Sequence, residues 1–341
     1  MTKFLDVFKE KKEASPPLWF MRQAGRYLPE YREIRKNYQQ FLDFCYSPQQ
    51  VVEVTLQPID RFDLDAAILF SDILVIPDAL GQGVTFKESQ GPLLSSLPLS
   101  SFRDTLSLDK LLTKLTPVYE AIHLTREKLH PSKTFLGFAG APWTLALYML
   151  EGEGTRDFAK AKKQAFDQEE KFSTFLDFLS QAIALHLIAQ VKAGVQAIQL
   201  FDTWAGLCPA SHFEKWVLEP TQKVLKAVKD VFPTLPIIGF PKGIGVQLVP
   251  YAEKTGVTGL SLDPSIPLSW ATQELPHPIV LQGNLDPLLL VSGGASLKRE
   301  IEAIHEKMKE RPYIFNLGHG VLPQTPLRNV EDCVKWVRDL K

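Results

Sequence analysis

The 341-residue chain is poor in cysteine. Cys45, Cys208 and Cys333 stand far apart, an odd number with no C-x-x-C pair. That scarcity excludes a disulfide framework and a spacing-encoded structural zinc site, and it predicts a reducing, cytoplasmic setting. Excess charge of one sign is also missing, since the formal net charge is -1. No global field exists to hold nucleic acid or an anionic membrane, so neither is expected as a partner. The longest uncharged run, Thr134 to Leu150, is interrupted by Gly137, Gly140 and Pro142. It falls short of the ~20 residues a membrane-spanning helix needs. The N-terminal MTKFLDVFKEKKEASPP is charged throughout, without an apolar core of signal-peptide length. Solenoid-period repeats, low-complexity linkers, a P-loop and G-x-S-x-G are all lacking, and neither Gly81-Gln82-Gly83 nor Gly243-Ile244-Gly245 completes a dinucleotide fingerprint.

What is there is a recurring alternation. Short apolar runs occur at Leu18–Met21, Ala66–Phe70, Thr134–Phe138, Ala197–Phe201, Pro236–Phe240, Gly259–Leu262, Pro278–Gln282 and Tyr313–Leu317. Several are apolar at nearly every position, as parallel strands covered on both faces require. Helical periodicity fills the intervals, over Val51–Phe62, Leu108–Leu129, Phe158–Lys192, Ser211–Val231, Gly245–Lys254, Ser296–Glu310 and Asn329–Leu340. Eight strands alternating with helices predict an α/β fold, a single-domain (β/α)8 barrel over residues 1–341, with residues 1–16 an N-terminal extension leading into it. Residues 81–107, rich in Gly, Ser, Pro and Leu, read as a long insertion in a βα loop.

Arginine is concentrated after the first run, as Arg22, Arg26, Arg32 and Arg35 in PLWFMRQAGRYLPEYREIR. Its permanent charge and planar fork of donors suit carboxylate or phosphate, which points to a polyanionic small molecule. For Arg32 and Arg35 a solvated helix face pairing Glu30 and Glu33, worth only ~0.3–0.5 kcal/mol per pair, competes with that reading. Arg22 and Arg26 flank Gly25 directly after a strand, where backbone and side chains can approach a ligand.

A barrel would place its site at the C-terminal strand ends. Those ends carry Arg22, Arg26, Ser71, Asp72, Gly140-Ala141-Pro142-Trp143 with Tyr148 beyond, Asp202, Thr203, Lys242, Asp263, Asn284, Asp286 and His319. Asp72, between apolar neighbours in FSDIL, reads either as a turn cap or as a carboxylate set to accept N–H groups or stabilise a developing cation. Tyr148 reads as core aromatic or pocket wall, and Thr203 as cap or ligand contact. His319 lies between two glycines with nothing obvious to pack against. Cys208 and His212 have no third ligand placed to complete a zinc site.

Taken together, PLWFMRQAGRYLPEYR, FSDIL, GFAGAPWTLALYMLEG, QLFDTWAG, GNLDP and NLGHGVLPQTP resemble, in order and from near residue 17 to the C-terminus, the uroporphyrinogen decarboxylase family of haem biosynthesis. The resemblance implies a distorted barrel, a homodimer, and removal of four acetate carboxyls from uroporphyrinogen III to give coproporphyrinogen III without metal or organic cofactor. It assigns substrate contacts to Arg22, Gln23, Ala24, Gly25, Arg26, Asp72, Tyr148, Thr203 and His319, with Asp72 facing the pyrrole N–H groups as the transition-state stabiliser. Many members of the family carry Ser where Thr203 stands; the hydroxyl survives and the added methyl narrows the pocket. Two rivals stay open: a related barrel methyltransferase acting with a corrinoid or thiol acceptor, and a non-catalytic tetrapyrrole-binding protein. The first would need His and Cys zinc ligands, and His319 stands where its C-terminal cysteine would.

Overall fold

Runs that are apolar on both faces can be satisfied only by cover on both faces, and the chain supplies it with helices outside and side chains inside. A computed structural model describes residues 2–10, 15–87 and 91–340. Residues 1 and 11–14 of the N-terminal extension, 88–90 of the 81–107 insertion, and residue 341 lie outside the described residues. The strands are β1 (Ala66–Ile68), β2 (Val84–Lys87), β3 (Gly91–Leu94), β4 (Thr134–Gly140), β5 (Ala197–Asp202), β6 (Ile237–Pro241), β7 (Gly259–Ser261), β8 (Val280–Gln282) and β9 (Tyr313–Ile314). Seven of them form one parallel sheet in the order β1-β4-β5-β6-β7-β8-β9.

The first apolar run supplies the eighth position, though not as a regular strand. Leu18 makes an isolated parallel bridge to Phe315. Its carbonyl accepts from Asp65 N at 2.9 Å, while Phe315 N donates to the Pro17 carbonyl at 2.8 Å. These bonds join β9 to β1 and close a distorted (β/α)8 barrel. Shortening the strand to one bridge has a local cause: Pro17 has no N–H to donate, and Arg22 turns into left-handed backbone at φ 59.

Inside the curled sheet every second residue packs into one cluster: Trp19, Met21, Ala66, Ile68, Leu136, Ala197, Ile238, Phe240, Val280 and Ile314, with Phe138 and Phe201 at its edge. Phe4 and Val7 of helix Lys3–Val7 join this cluster, and Thr2 hydrogen-bonds Thr134 at the start of β4. The N-terminal helix therefore covers the end of the barrel where the strands begin. A polar layer crosses the interior. Trp19 Nε1 donates to Gln282 Oε1 (2.9 Å), and Gln282 Nε2 donates to Gln199 Oε1 (2.9 Å) and Ser261 Oγ (3.2 Å). Each partner is satisfied, so the layer costs little while fixing which strand faces which.

Three expected helices are broken, two of them beside a proline. The segment 108–129 divides into Leu111–Lys114 and Thr116–Lys128, where Pro117 opens the second piece. Residues 158–192 divide at Gln168 into Ala159–Asp167 and the 25-residue Glu169–Ala193. The segment 211–231 begins with a π-helical turn, Glu214–Leu218, ahead of Glu219–Val231, whose Pro220 cannot donate. Helix Glu169–Ala193 is long and apolar enough to cross a membrane, yet twelve of its residues, from Phe172 to Gln190, are buried within the fold. The 81–107 insertion contains an antiparallel hairpin, β2 with β3, that its Gly- and Ser-rich composition did not announce.

Candidate active site

Strand alternation decides which strand-end side chains look into the barrel mouth. On β5 the interior set is Ala197, Gln199 and Phe201, which puts Thr203 inward and Asp202 outward one step further on. Asp202 is fully buried and accepts from Thr144 Oγ1 at 2.5 Å. The same Thr144 oxygen accepts from Trp204 N at 3.1 Å, and Trp143 Nε1 donates to the Trp204 carbonyl at 2.9 Å. Helix Pro142–Glu151 thus clasps the turn after β5 and holds Thr203 in place. Burial raises the Asp202 carboxyl to about 7, against the opposing Thr144 hydrogen bond. Asp202 serves the scaffold and Thr203 the mouth.

From Ala141 to Leu150 every residue is buried except Tyr148, the one side chain of that stretch turned toward open space. Its ring meets Phe158 edge-on at 5.5 Å and Trp204 at 6.2 Å. Burial raises its hydroxyl pKa; the Asp72 charge adds to the rise, and the Trp204 N–H (close by but outside hydrogen-bonding geometry) and Arg22 oppose it.

Asp72 is half-buried just past β1. One oxygen accepts from Leu74 N at 2.8 Å, so the turn-cap reading is realised. The other oxygen makes no hydrogen bond among the described residues, which leaves the second reading available on the same side chain. Burial pushes its pKa up, offset by the Leu74 N–H and by the Arg22 charge.

Arg22 is the residue common to both sides of the mouth. Its backbone is held by Met21 N donating to Asn316 Oδ1 (3.1 Å) and by Val321 N donating to the Met21 carbonyl (2.9 Å). Its aliphatic stem lies on Gly320, where a Cβ would stand 2.4 Å from Arg22 Cδ. A left-handed arginine costs about 1 kcal/mol, and these contacts hold it there. The same loop carries His319, whose ring faces Phe240 at 6.1 Å. Burial lowers the His319 pKa to about 4, helped by the charges of Arg22 and Lys242 and opposed by Asp263. The imidazole is therefore neutral at pH 7.

Not every expected residue reaches the mouth with its side chain. Gln23 is fully buried: Oε1 accepts from Phe20 N (3.2 Å), and Nε2 donates to the Ala66 carbonyl (3.1 Å). It ties the arginine turn to β1, leaving only backbone between Arg22 and Arg26 for a ligand. Arg26 is exposed, and its carbonyl accepts from Arg32 Nη1 at 2.7 Å. Arg32 thus braces the turn rather than pairing Glu30, which bonds Arg61 at 2.9 Å. Arg35 donates to the Tyr38 carbonyl and lies over Phe41. Ala24 and Gly25 are half-buried in the turn itself.

Among the described residues no three His, Cys, Asp or Glu side chains gather to hold a metal ion. A surface crevice of about 550 Å³ beside helix Glu219–Val231 is lined by lysines, of which Lys223, Lys226 and Lys254 are already paired with Asp177, Asp230 and Glu214.

The family model described as uroporphyrinogen decarboxylase (URO-D) matches residues 1–340. The chain belongs to the uroporphyrinogen decarboxylase family. A member from Rhodospirillum rubrum, named uroporphyrinogen decarboxylase, is 46% identical over 337 residues, covering 98% of this chain and 96% of its own length. One of the same name from Mesorhizobium japonicum is 48% identical over 334 residues, covering 98% and 97%. Among solved structures, a methyltransferase from Methanosarcina mazei superposes with a TM-score of 0.83 at 20% identity, over 99% of this chain and 97% of that one. A putative vitamin-B12-independent methionine synthase from Listeria monocytogenes gives 0.56 at 15% identity, over 96% of each. At those identities the likeness speaks for the barrel alone, which the decarboxylase family shares.

Proposed function

We propose that this chain removes the four acetate carboxyls of uroporphyrinogen III, leaving methyls and giving coproporphyrinogen III and carbon dioxide in haem biosynthesis, as a cofactor-independent carboxy-lyase. Membership of the family over the full chain carries the reading, and the mouth of the barrel supports it. Arg22, Arg26 and the backbone from Gln23 to Gly25 bind substrate carboxylates. Tyr148, Thr203 and neutral His319 contact the arms, and the free oxygen of Asp72 accepts from the pyrrole N–H groups. The enzyme works as a cytoplasmic homodimer without nucleic-acid or membrane partners; the near-zero net charge supports the last two points.

Loss of carbon dioxide needs an electron sink, and the substrate supplies it. A proton adds to a ring carbon beside the acetate arm and makes the pyrrole an iminium-like cation. The bond to the carboxylate then breaks, and its electron pair flows through the ring to nitrogen, leaving an exocyclic methylene. A proton on that methylene gives the methyl, and release of the ring proton restores the pyrrole, so each turn consumes one proton net. Asp72 stabilises the cation more than the neutral ring, and that difference is what accelerates the step.

The test is anaerobic turnover of reduced uroporphyrin III, with carbon dioxide and coproporphyrinogen measured. Absence of both sinks the reading. Asp72→Asn keeps the shape and removes the charge; a fall in kcat of about 10² or more is expected. Near-normal turnover by that variant removes Asp72 from its role.

A further inference from the structure

The cationic side of the mouth holds one more group than the assigned residues account for. Lys242 follows β6, whose interior set is Ile238 and Phe240, so the alternation carries Lys242 to the inner face of the mouth. The register pairs Asp202 with Pro241, and Lys242 N continues the ladder by donating to the Asp202 carbonyl at 3.1 Å. Lys242 and Thr203 are thus lateral neighbours on the inner face, on strands about 4.8 Å apart. The interior residue below Lys242, Phe240, is the one whose ring faces His319.

The backbone around Lys242 is immobilised. Its carbonyl accepts from Gly206 N at 3.0 Å, and Gly243 N donates to Asp263 Oδ2 at 2.8 Å. Gly206 and Gly243 touch so closely that a Cβ on Gly206 would stand 2.6 Å from the Gly243 carbonyl oxygen. Asp263, whose carboxylate holds the amide next to Lys242, is already committed to Gly243 N and to the Ser265 amide and hydroxyl, at 2.9 and 2.5 Å. The Lys242 ammonium, half-buried, makes no ion pair or hydrogen bond among the described residues. A cation held partly out of water, with its neighbouring anion engaged elsewhere, is a place for an anion to bind.

We infer that Lys242 binds a carboxylate arm of the tetrapyrrole, on the Thr203–His319 side of the mouth and across it from Asp72. The inference rests on the decarboxylase reading for the identity of the ligand. It extends the arginine-lined side into an arc of separate cations, Arg26, Arg22 and Lys242, suited to a ring whose carboxylates point outward in several directions.

The experiment compares the wild-type protein with Lys242→Met, Lys242→Arg and the surface control Lys254→Met. It measures KM and kcat for uroporphyrinogen III, and Kd for coproporphyrinogen III by anaerobic calorimetry. Lys242→Met is expected to raise KM or Kd about tenfold, the loss of one charge-assisted hydrogen bond at a partly exposed site, with kcat changed far less. Lys242→Arg restores binding and Lys254→Met leaves it unaltered. Unchanged KM and Kd in Lys242→Met overturn the inference, as does a Lys242→Arg variant equally impaired. A wild-type protein that binds coproporphyrinogen but releases no carbon dioxide overturns the proposed function instead, and the calorimetric comparison still judges Lys242. Neither turnover nor binding by the wild type overturns both.

Discussion

Asp72 caps the turn after β1 with one oxygen, and the proposed chemistry calls on the other. Its capping oxygen spends one lone pair on Leu74 N, and the other makes no hydrogen bond among the described residues while feeling the Arg22 charge. Burial holds its pKa above the ordinary value of ~3.9 for aspartate, and Arg22 keeps it from rising further. Only the carboxylate can stabilise a cationic ring, so activity must fall as pH drops through that raised value. The expected kcat/KM profile has an acid limb, shifted upward from the ordinary aspartate position, that is missing from the residual activity of Asp72→Asn. Substrate carboxyls titrate identically for both proteins and cancel in the comparison. An identical limb in the two profiles assigns it elsewhere. His319, with its pKa lowered to about 4, loses no charge between pH 6 and 8 and contributes no limb there.

At the scale of elements, the mouth is assembled from loops that fix one another, and the contact of Gly320 with Arg22 is the tightest of these. Gly320→Ala would push a methyl into the Arg22 stem, 2.4 Å from Cδ and 3.0 Å from Cβ. Because Gly320 is buried and Arg22 cannot retreat past its own Cβ, the guanidinium must swing away. The expected result is a KM for uroporphyrinogen raised about tenfold with a urea midpoint near that of the wild type. A wild-type KM would mean that the Arg22 charge does not meet the substrate. How much of this was legible varies with the physics involved. The strands were, because double-sided cover writes a near-continuous apolar run into β4 and β5. The helix breaks at Pro117 and Pro220 carried a readable sign, the missing N–H, which helical periodicity over a long window averages away. The β2–β3 hairpin did not stand out, since its strands are four residues each and only β2 alternates in exposure, β3 being half-buried from Gly91 to Leu93. Among the candidate site residues, Arg22, Asp72, Tyr148, Thr203 and His319 stand out from strand ends and resemblance. The left-handed turn at Arg22, the internal use of Gln23 and the inward face of Lys242 depend on register and three-dimensional closure, which no local pattern encodes.

Across the whole molecule, buried titratable groups set opposing pH dependences. His186 in helix Glu169–Ala193 is buried, with Nδ1 3.0 Å from Tyr119 Oη and Nε2 2.8 Å from Gln190 Nε2. Gln190 in turn clamps β4, accepting from Phe138 N at 3.0 Å and donating to its carbonyl at 2.8 Å. Gln190 donates to Nε2, so Nδ1 carries the proton and the ring is neutral; burial lowers its pKa to about 3. The unfolded imidazole takes its proton near ~6.5. Between those two values the unfolded chain binds more protons, and the His186 contribution to stability falls as pH falls. Asp202 acts in the reverse sense. Its folded carboxyl is protonated up to about 7, whereas the unfolded one ionises above ~3.9, so its contribution grows as pH falls through that window. Urea denaturation at several pH values from 7.5 to 5, for the wild type, His186→Gln and Asp202→Asn, separates the two. The stability difference between wild type and His186→Gln should shrink as the solution is acidified, and that between wild type and Asp202→Asn should widen. Parallel curves for either pair would mean that the group titrates alike in the folded and unfolded chain, and that internal water or local opening solvates it on the outward side of the barrel.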